Sequence, residues 1–128
     1  MSMDVTNILN KLNPQQEIAV TSECPHLLVL AGAGSGKTRI LVHRIAWKIQ
    51  VNNVPSHGVL AVTFTNKAAR EMKERIDQLL KIPAQGMWVG TFHGLAHRLL
   101  RSHWRDADLA EDFQILDSDD QLRLIKRL

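Results

Sequence analysis

The strongest constraint on how this chain can fold is an apolar tetrapeptide that runs straight into an octapeptide of small residues. Leu27-Leu28-Val29-Leu30 is followed by Ala31-Gly32-Ala33-Gly34-Ser35-Gly36-Lys37-Thr38. A short apolar run bounded by glycines predicts a strand buried on both faces, here Leu27 to Ala31. From Thr38 to about Val51 the spacing turns helical, with Leu41, Ile45 and Ile49 on one face. Strand, glycine loop and helix in that order make an anion site. The glycines let backbone N–H groups turn inward, and the helix N-terminus adds partial positive charge. Lys37 is expected to reach the β- and γ-phosphates of a nucleotide, and the Thr38 hydroxyl to ligate Mg²⁺. Ala31, Gly32, Ala33, Gly34, Ser35, Gly36, Lys37 and Thr38 are the candidate phosphate set, with Arg39 at its rim or simply on the surface. Ala31 stands where the usual pattern has its first glycine, but three glycines remain. The competing reading is a glycine-rich turn that binds nothing.

The rest of the chain alternates helices and strands. Residues 4 to 22 read as one or two short helices, the second opened by Asn13-Pro14 as cap and first helical residue. Val59 to Thr63 is a second apolar strand. A helix from about Lys67 to Leu80 has Ala69, Met72, Ile76, Leu79 and Leu80 as its inner stripe. Pro83 to Gly86 is a turn, and Met87 to Gly90 a third strand. Thr91 to Trp104 is helical, with Phe92, Leu95, Ala96, Leu99 and Leu100 inward. Phe113 to Leu116 could add a fourth strand. Ser118 and Gln121 then form a capping box for a last helix. This order implies a parallel α/β sheet with the glycine loop at the carboxyl end of its first strand.

Bulk properties narrow the class. With 128 residues, 45% of them hydrophobic, the chain is one domain or part of one. No apolar stretch is long enough to cross a membrane, so no membrane partner is expected. The first residues have no secretory pattern, and Cys24 is the single cysteine. A cytoplasmic location is therefore expected. The net charge of +3 allows a polyanionic partner without demanding one.

Three further segments carry candidate chemistry. Gln16 lies in Leu12-Asn13-Pro14-Gln15-Gln16-Glu17-Ile18-Ala19. Its amide could read the N6/N7 edge of adenine or simply close a capping box with Asn13. Thr63-Phe64-Thr65-Asn66-Lys67 ends the second strand. There Phe64 could stack on a base and Thr65 and Asn66 hold a phosphate, or the three could be a core side chain and a helix cap. Gly90-Thr91-Phe92-His93-Gly94 poses the same choice for Thr91 and His93. His93 and His97 are four apart, but no acidic residue or cysteine joins them, which argues against a metal. Asp117 ends a run that imitates an acidic nucleotide-site strand. Gln114 interrupts that run and no Glu follows, so Asp117 is read as structural.

Taken in order and spacing, these segments resemble the superfamily 1 DNA helicases of the UvrD/Rep type, over nearly the whole chain. Leu12 to Ala19 is similar to that family's Q motif, Ala31 to Thr38 to its Walker A, Thr63 to Met72 to motif Ia and Gly90 to Gly94 to motif Ib. The resemblance implies a RecA-like P-loop fold using ATP and Mg²⁺, with residues 1–90 in the first ATP-binding domain and 91–128 beginning a helical insert. It implies ATP-driven 3′-to-5′ movement on single-stranded or duplex-junction DNA in DNA repair, alongside repair proteins. It gives Gln16 to adenine, and Phe64, Thr65, Asn66, Thr91 and His93 to DNA. The acidic motif and the second motor domain of such enzymes find no counterpart in these residues, so the chain alone is expected to be inactive. A P-loop nucleotide kinase and a non-catalytic interaction module with a vestigial loop are the alternatives.

Overall fold

The computed structural model describes residues 4–34, 36–80 and 86–128. Within them lie helices α1 (Thr6–Leu9), α2 (Pro14–Thr21) and α3 (Lys37–Gln50), strand β1 (Leu60–Thr63), helix α4 (Asn66–Leu79), strand β2 (Trp88–Thr91), and helices α5 (Phe92–Ser102) and α6 (Ser118–Arg127). A single 3-10 turn, Ser56–Gly58, precedes β1. The chain divides into two compact units, Met1–Leu95 and Ala96–Leu128.

The first unit holds the core. Ile40, Val42, Ile45, Ala46 and Ile49 of α3 are buried, together with Ile8, Val20, Ala61, Met72, Ile76, Leu80 and Met87. Leu41, expected inside, is 40% exposed, because the buried arc of α3 is centred near Ala46 and ends at Ile45, leaving Leu41 just beyond its edge. Polar ties fix the small helices. Asn13 caps α2 by accepting from the Gln16 N–H at 2.8 Å, and Gln16 Oε1 accepts the Asn13 N–H at 3.0 Å. Asn7 Nδ2 donates to the Leu79 carbonyl at 2.8 Å, joining α1 to the end of α4.

Strands β1 and β2 pair in parallel, with Leu60 opposite Trp88 and Thr63 opposite Thr91. The parallel α/β expectation is met in this form: a two-stranded sheet among the described residues, with α4 as the connection. The expected strand at Leu27 to Ala31 does not form. That stretch makes no ladder, and its sides differ: Leu27 and Val29 are about 40% exposed, Leu28 and Leu30 more than 80%. Leu27 and Val29 share a shallow cavity with Ile40 and Leu41 of α3. A strand needs a hydrogen-bonded neighbour, and none pairs with this stretch among the described residues. Phe113 to Leu116 likewise forms no strand. The expected turn at Pro83 to Gly86 lies outside the described residues except for Gly86, which takes a φ of +81°.

In the second unit none of residues 96–128 is buried. Its contacts are local. The Arg101 guanidinium lies 4.3 Å from the centroid of the Phe113 ring, donates to His97 at 3.0 Å and to the Glu111 carbonyl at 3.2 Å. The α6 cap is Asp117 and not Ser118: its Oδ1 accepts the Asp120 N–H at 2.7 Å. The boundary shifts by one residue because Asp117 has the extended backbone a cap needs. This agrees with the structural reading of Asp117. Of the expected inner stripe of α5, Leu95 alone is buried, while Phe92 and Leu99 are 64% and 51% exposed.

Among the described residues His43 is the one buried polar residue. Its Nδ1–H donates to the Ile8 carbonyl, tying α1 to α3. Burial holds its pKa below the ordinary 6.5; the Ile8 bond works the other way, and the charges of Arg39 and Lys11 add to the lowering. The unfolded chain therefore takes up a proton that the folded chain refuses. Stability contributed by neutral His43 is full above pH 6.5 and declines as pH falls below it. His43→Gln should flatten the fall in unfolding free energy between pH 7.5 and 5.5, by no more than about 1.4 kcal/mol per pH unit. Urea denaturation of both chains at the two pH values measures it, and parallel slopes would refute it.

Candidate functional site

The loop between Leu30 and α3 turns on two glycines. Gly34 and Gly36 have φ of +77° and +81°, the left-handed region that side chains disfavour. Gly36 is also the residue before the first turn of α3, whose N–H groups have no helical partner. Together they open onto a cleft of about 880 Å³ lined by Lys11, Asn13, Gln16, Ala33, Gly34, Gly36, Lys37, Thr38, Arg39 and Arg75. Four of these are cations and none is a carboxylate, so the cleft concentrates positive potential at a helix N-terminus. That donor set fits a polyphosphate carrying Mg²⁺: backbone N–H groups, lysine and arginine charges and one hydroxyl.

Of the residues expected from sequence, Gln16, Ala33, Gly34, Gly36, Lys37, Thr38 and Arg39 come together in this cleft. Ala31 and Gly32 precede it in the loop and do not line it. Ser35 lies outside the described residues. Gln16 closes the capping box, one of the two roles the sequence allowed, and the same residue lines the cleft. Arg39 donates to the Lys11 carbonyl at 3.5 Å, at the rim. Lys11 and Arg75 were not foreseen. Arg75 arrives from α4, which packs on α3, and no local pattern announces that meeting.

A smaller cavity of about 330 Å³ adjoins the first. Lys37 and Thr38 form one side, Thr63, Phe64 and Thr65 another, with Glu71 and Arg75 from α4. Here the strand register matters. Pairing Thr63 with Thr91 sets the next residues, Phe64 and Phe92, side by side, with ring centroids 6.0 Å apart and planes tilted by 50°. Phe64 is 91% exposed and Phe92 64%. Phe92, expected inside, thus stands at the open end of the strands, because the turn into α5 begins immediately after Thr91. The threonines act as caps: Thr65 Oγ1 accepts the Ala68 N–H at 3.1 Å and Thr91 Oγ1 the Gly94 N–H at 3.0 Å. Asn66 and His93 occupy the exposed first turns of α4 and α5. Among the described residues no group of three His, Cys, Asp or Glu side chains is placed to hold a metal ion.

The chain belongs to the UvrD/REP helicase family, since the model of its N-terminal domain (UvrD/REP helicase N-terminal domain) matches residues 12–128. Among curated proteins it is similar to DNA helicase II of Escherichia coli (strain K12), 64% identical over 126 residues, which is 98% of this chain and 18% of that protein. The Haemophilus influenzae DNA helicase II is 58% identical over 130 residues, 98% of this chain and 18% of the relative. The ATP-dependent DNA helicase PcrA of Bacillus subtilis (strain 168) is 48% identical over 119 residues, 93% of this chain and 16% of the relative. The chain therefore spans less than a fifth of the length of these relatives.

The glycine geometry has a measurable cost structure. A Cβ on Gly34 would meet nothing, whereas one on Gly36 would come within 2.9 Å of Gln16 Nε2. Gly34→Ala and Gly36→Ala should each cost the left-handed strain, roughly 1–2 kcal/mol. At Gly36 the obstacle is the far end of the Gln16 side chain, so moving it adds no more than its capping-box bond to the Asn13 N–H, about 1 kcal/mol. Urea midpoints of the three chains check this, and a loss at either glycine well below the strain would contradict it.

Proposed function

We propose that this chain is the nucleotide-gripping N-terminal part of an ATP-dependent DNA helicase, and that the cleft at Gly34 to Thr38 receives the phosphates of Mg²⁺-ATP. The observation that carries the reading is the carboxylate-free cleft, which joins two left-handed glycines to Lys37 and Thr38 at the start of α3. Lys37 neutralises the β- and γ-phosphates, and the Thr38 hydroxyl holds Mg²⁺, which when bound spreads the phosphate charge. Ala33 to Lys37 give backbone N–H groups, and Ala31 and Gly32 lead the chain into the loop. Gln16 selects adenine. An amide oxygen has two lone pairs, so capping α2 and reading a base are compatible in one side chain.

The fold we assign to the full-length protein is the RecA-like P-loop type, residues 1–90 belonging to its first ATP-binding domain and 91–128 beginning a helical insert. The names of the relatives, DNA helicase II and ATP-dependent DNA helicase PcrA, support DNA and ATP as what the whole protein works on. We assign it 3′-to-5′ movement on single strands or duplex junctions, in cytoplasmic DNA repair with repair-protein partners, on the resemblance of its motifs. Phe64, with Phe92 beside it, meets a base. Thr65, Asn66, Thr91 and His93, at the starts of α4 and α5, meet phosphate or sugar.

The 128 residues alone turn ATP over negligibly, because no carboxylate lines the cleft to activate water. Mg²⁺-ATP should raise the melting temperature of this chain, and Lys37→Ala should abolish that protection. No protection, or equal protection of both chains, would remove the cleft from consideration; Lys37-dependent hydrolysis by the chain alone would sink the claim of inactivity. On labelled single-stranded DNA, Phe64→Ala should weaken binding at least about fivefold by anisotropy, in keeping with one lost base stack. An unchanged affinity would take Phe64 off the DNA path.

A further inference from the structure

Helix α2 carries Gln16 and packs along α3. Val20 is its one buried residue, and Ile18 is 69% exposed. Its last turn contains no basic residue, so its terminal carbonyls lack the cation that favours a helix C-terminus. Arg44, on the middle of α3, supplies that cation from outside. Its Nη1 donates to the carbonyls of Ala19 at 2.8 Å and Ser22 at 3.0 Å, and reaches Val20 at 3.5 Å. Its Nη2 reaches the Cys24 carbonyl at 3.5 Å. One planar guanidinium thus gathers four carbonyls at the end of α2 and the turn beyond it, a fan of donors that lysine cannot reproduce.

The other end of α2 is also against α3. Gln16 Nε2 sits 2.9 Å from the position a Cβ on Gly36 would take. From Gly36 to Arg44 is about 12 Å of helix and from Gln16 to Ser22 about 9 Å. The two helices therefore run side by side, fastened near both ends. Arg44 does not line the cleft. Gln16 belongs to α2, whereas Lys37 and Thr38 belong to α3, so a shift of α2 at its Arg44 end would move the first and not the second.

We propose that Arg44 is a positioning residue for base recognition, holding α2 so that Gln16 faces the base end of the cleft. The inference rests on the reading of the cleft as an ATP site. It assigns phosphate grip and base choice to separately adjustable parts: the first to the glycine loop and the start of α3, the second to α2 through Arg44.

The test compares Mg²⁺ complexes of ATP, GTP and inorganic tripolyphosphate, titrated calorimetrically into the 128-residue chain and into Arg44→Met and Arg44→Lys. Arg44→Met should weaken ATP about tenfold, bring ATP and GTP within about twofold of each other, and leave tripolyphosphate within about twofold of its parent value. Arg44→Lys should fall between, and carries the test if Arg44→Met does not fold. Hydrogen exchange should quicken in α2 and not in α4. Equal weakening of all three ligands, or an unchanged ATP preference, overturns the positioning role. A parent chain that binds tripolyphosphate without preferring ATP to GTP overturns it as well. A parent chain that binds none of the three refutes the ATP reading itself, a result distinct from the others.

Discussion

The packing of α3 against its neighbours is the constraint from which the first unit is built. Four β-branched side chains on it, Ile40, Val42, Ile45 and Ile49, are buried, each contributing roughly 1.5–3 kcal/mol by removal from water. The same helix reaches outward through polar groups. His43 binds the end of α1, Arg44 the end of α2, and Arg39 the Lys11 carbonyl between them. Helix α4 packs on it and connects it to β1 and β2. The first turn of α3 opens the cleft, so Lys37 and Thr38 sit on the element that buries the most side chains, while Gln16 sits on α2, which buries Val20 alone and is held along α3 by Arg44.

Much of this was legible in the residues. The glycine loop, Lys37 and Thr38 are contiguous, so sequence neighbours are also spatial neighbours, and the cleft could be anticipated from one octapeptide. The amphipathic stripes of α3 and α4 have helical spacing that burial makes obligatory, and Ile45, Ile49, Met72 and Ile76 are where the period puts them. The Asn13 cap needed only three residues of context.

What was not legible depends on distant partners. An apolar run states that a segment is suited to a buried strand; it does not state that a neighbouring strand is present. Leu28 and Leu30 have that suitability and no ladder, so they remain exposed. Phe92 has helical spacing with Leu95 and Leu99, which suggested an inner stripe, but the register of β1 with β2 sends it to the strand edge beside Phe64. Arg75 and Arg44 reach the cleft and α2 only because α3, α4 and α2 meet in space. Even the Ser118 cap was displaced by one residue, since Asp117 offers an equally good acceptor with the right backbone.

The two cavities lie next to each other within the first unit. Lys37 and Thr38 form one wall of the smaller cavity, and Thr63, Phe64 and Thr65 another. The Thr63 hydroxyl donates to the Thr65 carbonyl at 3.0 Å, which tightens the turn that presents Phe64, and Thr65 in turn caps α4. Helix α4 packs on α3 and sends Arg75 into both cavities. A group that draws on Lys37 from the cleft therefore acts within a few side chains of the aromatic edge, through packed helices and capped turns with no long flexible segment between them. Physical contiguity of this kind is one route by which two sites can couple, and here α3, α4 and the end of β1 supply it.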